Sequence, residues 1–288
     1  MTGTSGKPLG IIAGGGPVPR HVANAATRDG RPVLILGIGG EADQTIEAFP
    51  HAYLQWGQIG RMQKLLNERD IEEIVLIGNI NIRPDFRSMK LDLGAVKIVP
   101  KVLSLMTSGD SDLLSGVIKI FGELGYIVVG AHEIAPDLTV GAGPIGRHGP
   151  DAAGQKDAER AMIAARAIGA IDAGQAAVAI NGRIVALEAA EGTDAMLERV
   201  AALREKGRLR WSGRAGVLAK CAKPQQDLRV DMPTIGLKTI QAAVDIGLAG
   251  IAVEAGRAML MDRAEATSLA DDEGLFVIGE PSGGPSAP

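Results

Sequence analysis

The 288-residue chain holds a single cysteine, Cys221. No intramolecular disulfide can form, and a reducing compartment is expected. Aromatic residues are scarce, with two Trp, two Tyr and four Phe making 3% of the chain. That scarcity argues against a base-stacking surface for single-stranded nucleic acid. It also leaves a core of Ala, Val, Ile and Leu, as in α/β proteins whose parallel sheets are covered by helices. Charge of one sign is lacking too: 30 Lys and Arg against 34 Asp and Glu give a net of −4, with no long-range pull toward nucleic acid or anionic lipid. No stretch of about 18 residues is free of charge, so no membrane-spanning helix is expected. Residues 1–8 lack a basic region followed by an apolar run, so no signal peptide is read and a cytoplasmic location is expected. His21, His51, His132 and His148 stand at no metal-ligand spacing. A Walker A loop and a G-x-S-x-G elbow are both missing.

What is present is apolar material, 46% of the residues, enough for a sizeable core. The length corresponds to two domains. Segments 1–8 and 280–288, rich in Gly, Ser and Pro, read as tails. Strand-like runs at 9–13, 33–38, 73–78 and 126–130 alternate with helical patterns at 18–28, 58–70 and 110–123. This alternation predicts a parallel, Rossmann-like sheet over 9–135. Residues 136–150, with several Gly and Pro, read as a linker. A second α/β domain follows over 151–279, with a long Ala-rich helix at 152–172 and strand-like runs at 176–180, 184–188, 217–223 and 250–253. A further helix is read at 194–206.

Four segments offer chemistry. After the first strand, Gly14, Gly15, Gly16 and Pro17 lead into a helix. Such a turn can present N–H groups to a phosphate, or it can be a tight joint with no ligand. The dinucleotide fingerprint is broken at Val18 and Pro19, which disfavours a nicotinamide-dependent oxidoreductase. In KCAKPQQDLRVDMPTIG (220–236), Asp227, Arg229 and Asp231 would share one face if the stretch were extended. They read either as a solvated charge lattice or as a Mg²⁺ site, with Lys220 and Lys223 near enough to balance substrate charge. Glu188 and Glu191 follow a strand and are candidates for a metal or substrate site. Beside them are Gly192 and Thr193, the latter a good helix N-cap. Ser108-Gly-Asp-Ser-Asp112 precedes a helix and reads mainly as its cap.

LGIIAGGGPVP (9–19), SGDSDLL (108–114), DAGQAAVAINGRIVALEAAEGTDAML (172–197), LAKCAKPQQDLRVDMPTIG (218–236) and GIAVEAG (250–256) together resemble the LpxI family, along nearly the whole chain. The resemblance implies a pyrophosphatase of lipid A biosynthesis. It would cleave UDP-2,3-diacylglucosamine to UMP and 2,3-diacylglucosamine 1-phosphate (lipid X), with Mg²⁺ or Mn²⁺ as cofactor. Carried onto this sequence, it implies Asp227 and Asp231 as catalytic and metal-binding acids, assisted by Arg229, with Glu188 as a further ligand. Substrate contacts are expected from Gly14, Gly15, Gly16, Pro17, Glu191, Gly192, Thr193, Lys220 and Lys223. Two acyl chains imply peripheral contact with the inner membrane, and a homodimer is the default expectation for a soluble enzyme. The other reading is a non-catalytic nucleotide-sugar or lipid-binding module, which would need the glycine turn but not the Asp–Arg–Asp cluster.

Overall fold

A computed structural model describes residues 6–80, 91–96, 98 and 110–281. The chain divides into two compact units: Met1–Pro136 together with Asp227–Asp231, and Asp137–Gln226 together with Met232–Pro288.

The first unit is built on five parallel strands, β1 (Leu9–Ala13), β2 (Val33–Ile38), β3 (His51–Leu54), β4 (Glu73–Ile77) and β5 (Ile127–Val128), in the order β3-β2-β1-β4-β5. β1 is central because its residues are apolar on both faces: Leu9 and Ile11 are wholly buried, each contributing about 2 kcal/mol of transfer free energy. The helix Val18–Arg28 begins just after Pro17 and buries Val22, Ala23, Ala25 and Ala26. Parallel strands joined by crossovers bring the segments that follow them to one edge of the sheet. At this carboxyl edge lie Gly14–Pro17 after β1, Gly39–Asp43 after β2, Gly78 and Asn79 after β4, and Gly130–Glu133 after β5. The turn Asp227–Asp231 belongs to this unit, and its Val230 packs on the cluster of Leu34, Leu36, Met62, Leu66, Tyr126 and Val128.

The second unit holds a mixed six-stranded sheet. Its strands are β6 (Gly143–Ile145), β7 (Ala176–Ile180), β8 (Arg183–Leu187), β9 (Val217–Lys220), β11 (Gly250–Glu254) and β13 (Phe276–Glu280), in the order β6-β13-β11-β9-β7-β8. A two-stranded pair, β10 (Thr234–Ile235) and β12 (Met259–Leu260), adjoins it in the chain. The helix Ala152–Ala170 is capped by Asp151, whose Oδ1 accepts from the Gly154 N–H at 2.7 Å. Its buried stripe of Gly154, Ala158, Ala161, Ala165 and Gly169 recurs every three or four residues, so the helix lies close on the Ala-rich faces of β7 and β9. β7 and β8 form a hairpin across Asn181 and Gly182, both at positive φ (51° and 75°). Asn-Gly is the pair that a two-residue turn of this hand requires. Both turn N–H groups donate to the buried Asp157 carboxylate, at 2.9 and 2.6 Å.

Two segments differ from the sequence expectation. Residues 137–150 are integral to the second unit rather than a linker: Val140 is fully buried, Thr139 bridges Met259, and β6 pairs antiparallel with β13. The expected C-terminal tail begins inside β13, where Glu280 is the last strand residue and its Oε1 accepts from Gln155 Nε2 at 3.2 Å. Glycines and prolines here shape an edge strand and its approach, which composition alone does not separate from a linker.

Candidate functional site

The glycine turn is a joint between β1 and β4. The Gly14 N–H donates to Ile77 O at 2.9 Å, Gly15 pairs with Asn79 in both directions at 2.8 Å, and the Gly16 N–H donates to Asp43 Oδ2 at 2.6 Å. A Cβ on Gly14 would fall 2.4 Å from Asn79 O, and one on Gly15 2.8 Å from Glu41 O. Glycine is therefore required by the approach of neighbouring backbone. The anion facing this turn is the protein's own Asp43 carboxylate. Pro17 follows directly and precedes the helix Val18–Arg28.

The Asp227–Asp231 segment corrects the extended reading. It is a turn, with Val230 N–H and Asp231 N–H both donating to Asp227 O at 3.1 Å. An aspartate opening a turn accepts from the backbone two residues on, and Arg229 N–H donates to Asp227 Oδ1 at 3.0 Å. The Arg229 guanidinium closes on the same carboxylate as a fork, Nε to Oδ1 at 3.0 Å and Nη2 to Oδ2 at 2.6 Å. The Arg229 side chain is 43% exposed and that of Asp227 25%. Arg229 holds the Asp227 carboxyl below the usual carboxylate range, against the burial that would raise it, and His132 adds to the lowering. Asp227 in turn raises Arg229, with Glu133 adding to it. The half-buried Asp231 carboxylate makes no hydrogen bond or ion pair among the described residues.

His132, which the sequence reading weighed only as a metal ligand, and Glu133 lie in the same unit as this turn. They sit just after β5 at the carboxyl edge. The Gly130 N–H donates to Glu133 Oε1 at 2.6 Å. A Cβ on Gly130 would meet the His132 ring at 2.4 Å, so glycine is what lets the ring lie against this backbone. The available signal was G-A-H-E directly after an expected strand, at the end of a parallel sheet where ligands bind. A cavity of about 290 Å³ lined by Lys7, Pro8, Asp70, Glu72 and Glu73 opens instead at the amino edge, where β1 and β4 begin.

The remaining expected residues lie in the second unit, in well-defined roles. Glu188 is buried; its Oε1 accepts from Thr193 Oγ1 and its Oε2 from the Gln175 N–H, both at 3.0 Å. Thr193 therefore does not cap the helix, which spans Gly192–Glu205 with Glu191 at the N-cap position. Glu191 bonds Arg199 at 2.9 Å and the Ala189 N–H at 3.1 Å. Lys220 Nζ donates to Thr234 O at 3.1 Å, and Lys223 Nζ pairs with Asp172 at 2.7 Å. Ser108 and Gly109 lie outside the described residues, and Asp110 opens the helix Asp110–Glu123.

Among the described residues no group of three or more His, Cys, Asp or Glu side chains is gathered that could hold a metal ion. Both Asp227 oxygens are taken by Arg229 and both Glu188 oxygens by Thr193 and Gln175. Asp227 and Glu188 are thus each held by protein donors within their own unit.

Cys221 is 1% exposed, with its Sγ 3.4 Å from Met162 Sδ. Burial pushes its thiol up to about 12, and Glu254 adds to this. The thiolate is the reactive form, so the native protein is expected to resist iodoacetamide at pH 8, whereas the urea-unfolded chain is alkylated. Mass spectrometry of the two samples checks this, and equal labelling would refute the buried placement.

Taken together, the folds define a two-unit α/β protein, one unit carrying a parallel sheet and the other a mixed one, with an acid–guanidinium turn in the first. Comparison with known proteins narrows that class. Residues 8–138 match the model of the LpxI N-terminal domain, and residues 141–278 match that of the LpxI C-terminal domain. The chain is 40% identical over 273 residues to UDP-2,3-diacylglucosamine pyrophosphatase LpxI of Caulobacter vibrioides, covering 95% of this chain and 97% of that protein. The chain belongs to the LpxI family.

Proposed function

We propose that the protein hydrolyses the pyrophosphate bond of UDP-2,3-diacylglucosamine, releasing UMP and 2,3-diacylglucosamine 1-phosphate for lipid A biosynthesis. The observation that carries this reading is the near-complete match to a relative named for that substrate, across both family domains. The Asp227 turn supplies chemistry that suits it. A pyrophosphate diester carries two negative charges that repel an incoming water, and a guanidinium fork neutralises phosphate oxygens in pairs. Arg229 is the exposed member of its pair, so it can exchange the Asp227 carboxylate for a substrate phosphate. Asp227, released from the fork, is then a free carboxylate beside the reacting phosphorus, able to orient the attacking water and take its proton. A phosphate reaching Gly14–Pro17 would exchange with the Asp43 carboxylate at the Gly16 N–H. Lys220, Lys223, Glu191, Gly192 and Thr193 are further proposed contacts for the substrate.

A requirement for Mg²⁺ or Mn²⁺ is part of this proposal on the strength of the resemblance. Both Asp227 oxygens are engaged by Arg229, and no step is routed through the ion. Cytoplasmic placement, peripheral contact with the inner membrane through the acyl chains and a homodimer are likewise proposed. No helix among the described residues is long and apolar enough to cross a membrane. The test is direct. The purified protein incubated with UDP-2,3-diacylglucosamine should release UMP and lipid X, with EDTA stopping the release and Mg²⁺ restoring it. Tight binding of the substrate without UMP would point instead to a binding module. Turnover indifferent to EDTA would remove the metal and leave the hydrolase.

A further inference from the structure

Glu254 is the last residue of β11, and both neighbours of that strand, β9 and β13, run parallel to it. It therefore stands at the carboxyl ends of three parallel strands, the edge at which open α/β sheets take ligands. Its side chain is 8% exposed, and two arginines close on it. Arg166, from the helix Ala152–Ala170, reaches Oε1 through Nε at 2.8 Å. Arg257, from the turn after β11, reaches Oε2 through Nε at 3.5 Å. The Ala222 N–H, just after β9, donates to the same Oε2 at 3.1 Å. One carboxylate thus gathers two guanidinium groups from different elements. Their terminal nitrogens make no hydrogen bond among the described residues, and the two side chains stay partly open, at 24% and 35% exposure. Glu280, the register partner of Glu254 on β13, is engaged by Gln155 Nε2 at 3.2 Å. The N–H next to that of Ala222, on Lys223, donates to Gln226 Oε1 at 2.8 Å. Gln226 is 8% exposed, and its Nε2 is a buried donor without a partner among the described residues.

We propose that Arg166 and Arg257, held by Glu254, form a binding site for a phosphate monoester dianion. Such a site goes beyond the hydrolase reading and stands whether or not the protein cleaves a pyrophosphate. Two guanidinium groups against the one carboxylate they share leave a positive balance. Each guanidinium presents a planar fork of N–H groups that matches a pair of phosphate oxygens. Arg166 bonds through Nε alone, so its Nη1–Nη2 end is left for the ligand. Glu254 holds both side chains in place beforehand, which lowers the ordering cost of binding. A planar carboxylate ligand would satisfy one fork, whereas a tetrahedral phosphate has three free oxygens and can meet both. Gln226 Nε2, on the segment that Glu254 holds through Ala222, is a further donor in want of an acceptor.

Titration of the full-length protein with inorganic phosphate, followed by phosphorus NMR line broadening, tests this. Arg257→Gln removes a long, partly exposed ion pair that adds little stability, so the fold is kept, as a thermal melt checks. It should weaken phosphate binding about tenfold or more. Arg257→Lys keeps the charge without the fork and should regain part of that loss. Arg166→Lys keeps a cation on the buried Glu254 and should weaken binding about fivefold. Arg147→Gln, in the same unit, alters a side chain that is 68% exposed and paired with Asp271 and Asp272, and should bind as the wild type does. No binding to the wild type at about 50 mM phosphate overturns the proposal, as does an affinity of Arg257→Gln or Arg166→Lys within about twofold of wild type. An equal loss in Arg147→Gln overturns it too, because that is the response of general surface charge. Glucose 1-phosphate and UMP, titrated in the same way, separate the sources of the phosphate. Tighter, Arg257-dependent binding of one of them assigns the site to a sugar 1-phosphate or to a nucleotide, and equal affinities assign it to the phosphate group alone. Phosphate binding by a protein that releases no UMP would refute the hydrolase and leave this site standing.

Discussion

Asp227→Ala is expected to lower turnover of UDP-2,3-diacylglucosamine about 1,000-fold or more, roughly 4 kcal/mol of transition-state stabilisation, while leaving the fold intact. Two features separate the effects. The Asp227 carboxylate organises the site, accepting from Arg229 Nε, Nη2 and N–H at 3.0, 2.6 and 3.0 Å. Its loss frees Arg229 to bind phosphate but removes the group that would orient water. The pair is also partly open to solvent, at 25% and 43% exposure. Water therefore compensates the uncovered guanidinium, and the stability cost stays within about 1 kcal/mol. Asp227→Asn should retain the turn hydrogen bond and still be slow, since the amide supplies no base. Asp231→Ala should cost less than Asp227→Ala, because the Asp231 carboxylate engages nothing among the described residues. The checks are kcat under saturating Mg²⁺ and a thermal melt of each variant. Near-normal rates for Asp227→Ala would reject the site.

The second large effect is on stability. Gly14→Ala is expected to destabilise the first unit by about 3 kcal/mol or more. The added Cβ would lie 2.4 Å from Asn79 O and 2.9 Å from Gly78 C, and these are backbone atoms of the segment after β4. Relief requires moving that segment away from β1, breaking the Gly15–Asn79 pairing at 2.8 Å. Gly122→Ala is the control: nothing lies within 4 Å of its Cβ, and in a helix alanine is favoured over glycine by about 1 kcal/mol. Urea melts distinguish the two. If Gly14 existed only to admit a phosphate, its substitution would change KM and leave the melt untouched.

The parallel sheet was legible because its strands are apolar on both faces and its helices amphipathic. Val33–Ile38 and Glu73–Ile77 come from runs that no surface strand would carry, and the helix Val18–Arg28 spans the residues its pattern marks. β3 escaped because His51–Leu54 is short, half-exposed and lies at the sheet edge, where burial imposes little pattern. The helices Leu237–Ile246 and Arg263–Asp272 were passed over in a Gly-rich region whose alternation is irregular. At the site, residue types were readable but geometry was not. Period two applied to Asp227, Arg229 and Asp231 gives a shared face, whereas the bonds from Val230 and Asp231 back to Asp227 O make a turn.

The make-up of the first unit bears on how the protein is synthesised. Its sheet is encoded before residue 137, yet the unit also includes Asp227–Asp231, with Val230 against its apolar cluster. A nascent chain that has emerged only to the end of β5 can pair all five strands, but it waits through roughly 100 more residues, about 5–20 seconds of synthesis at about 5–20 residues per second, for the segment bearing its aspartate and arginine. Throughout that interval the ribosome carries a folded sheet without the Asp227–Arg229 turn, so the first unit is completed late, well after its strands are in place.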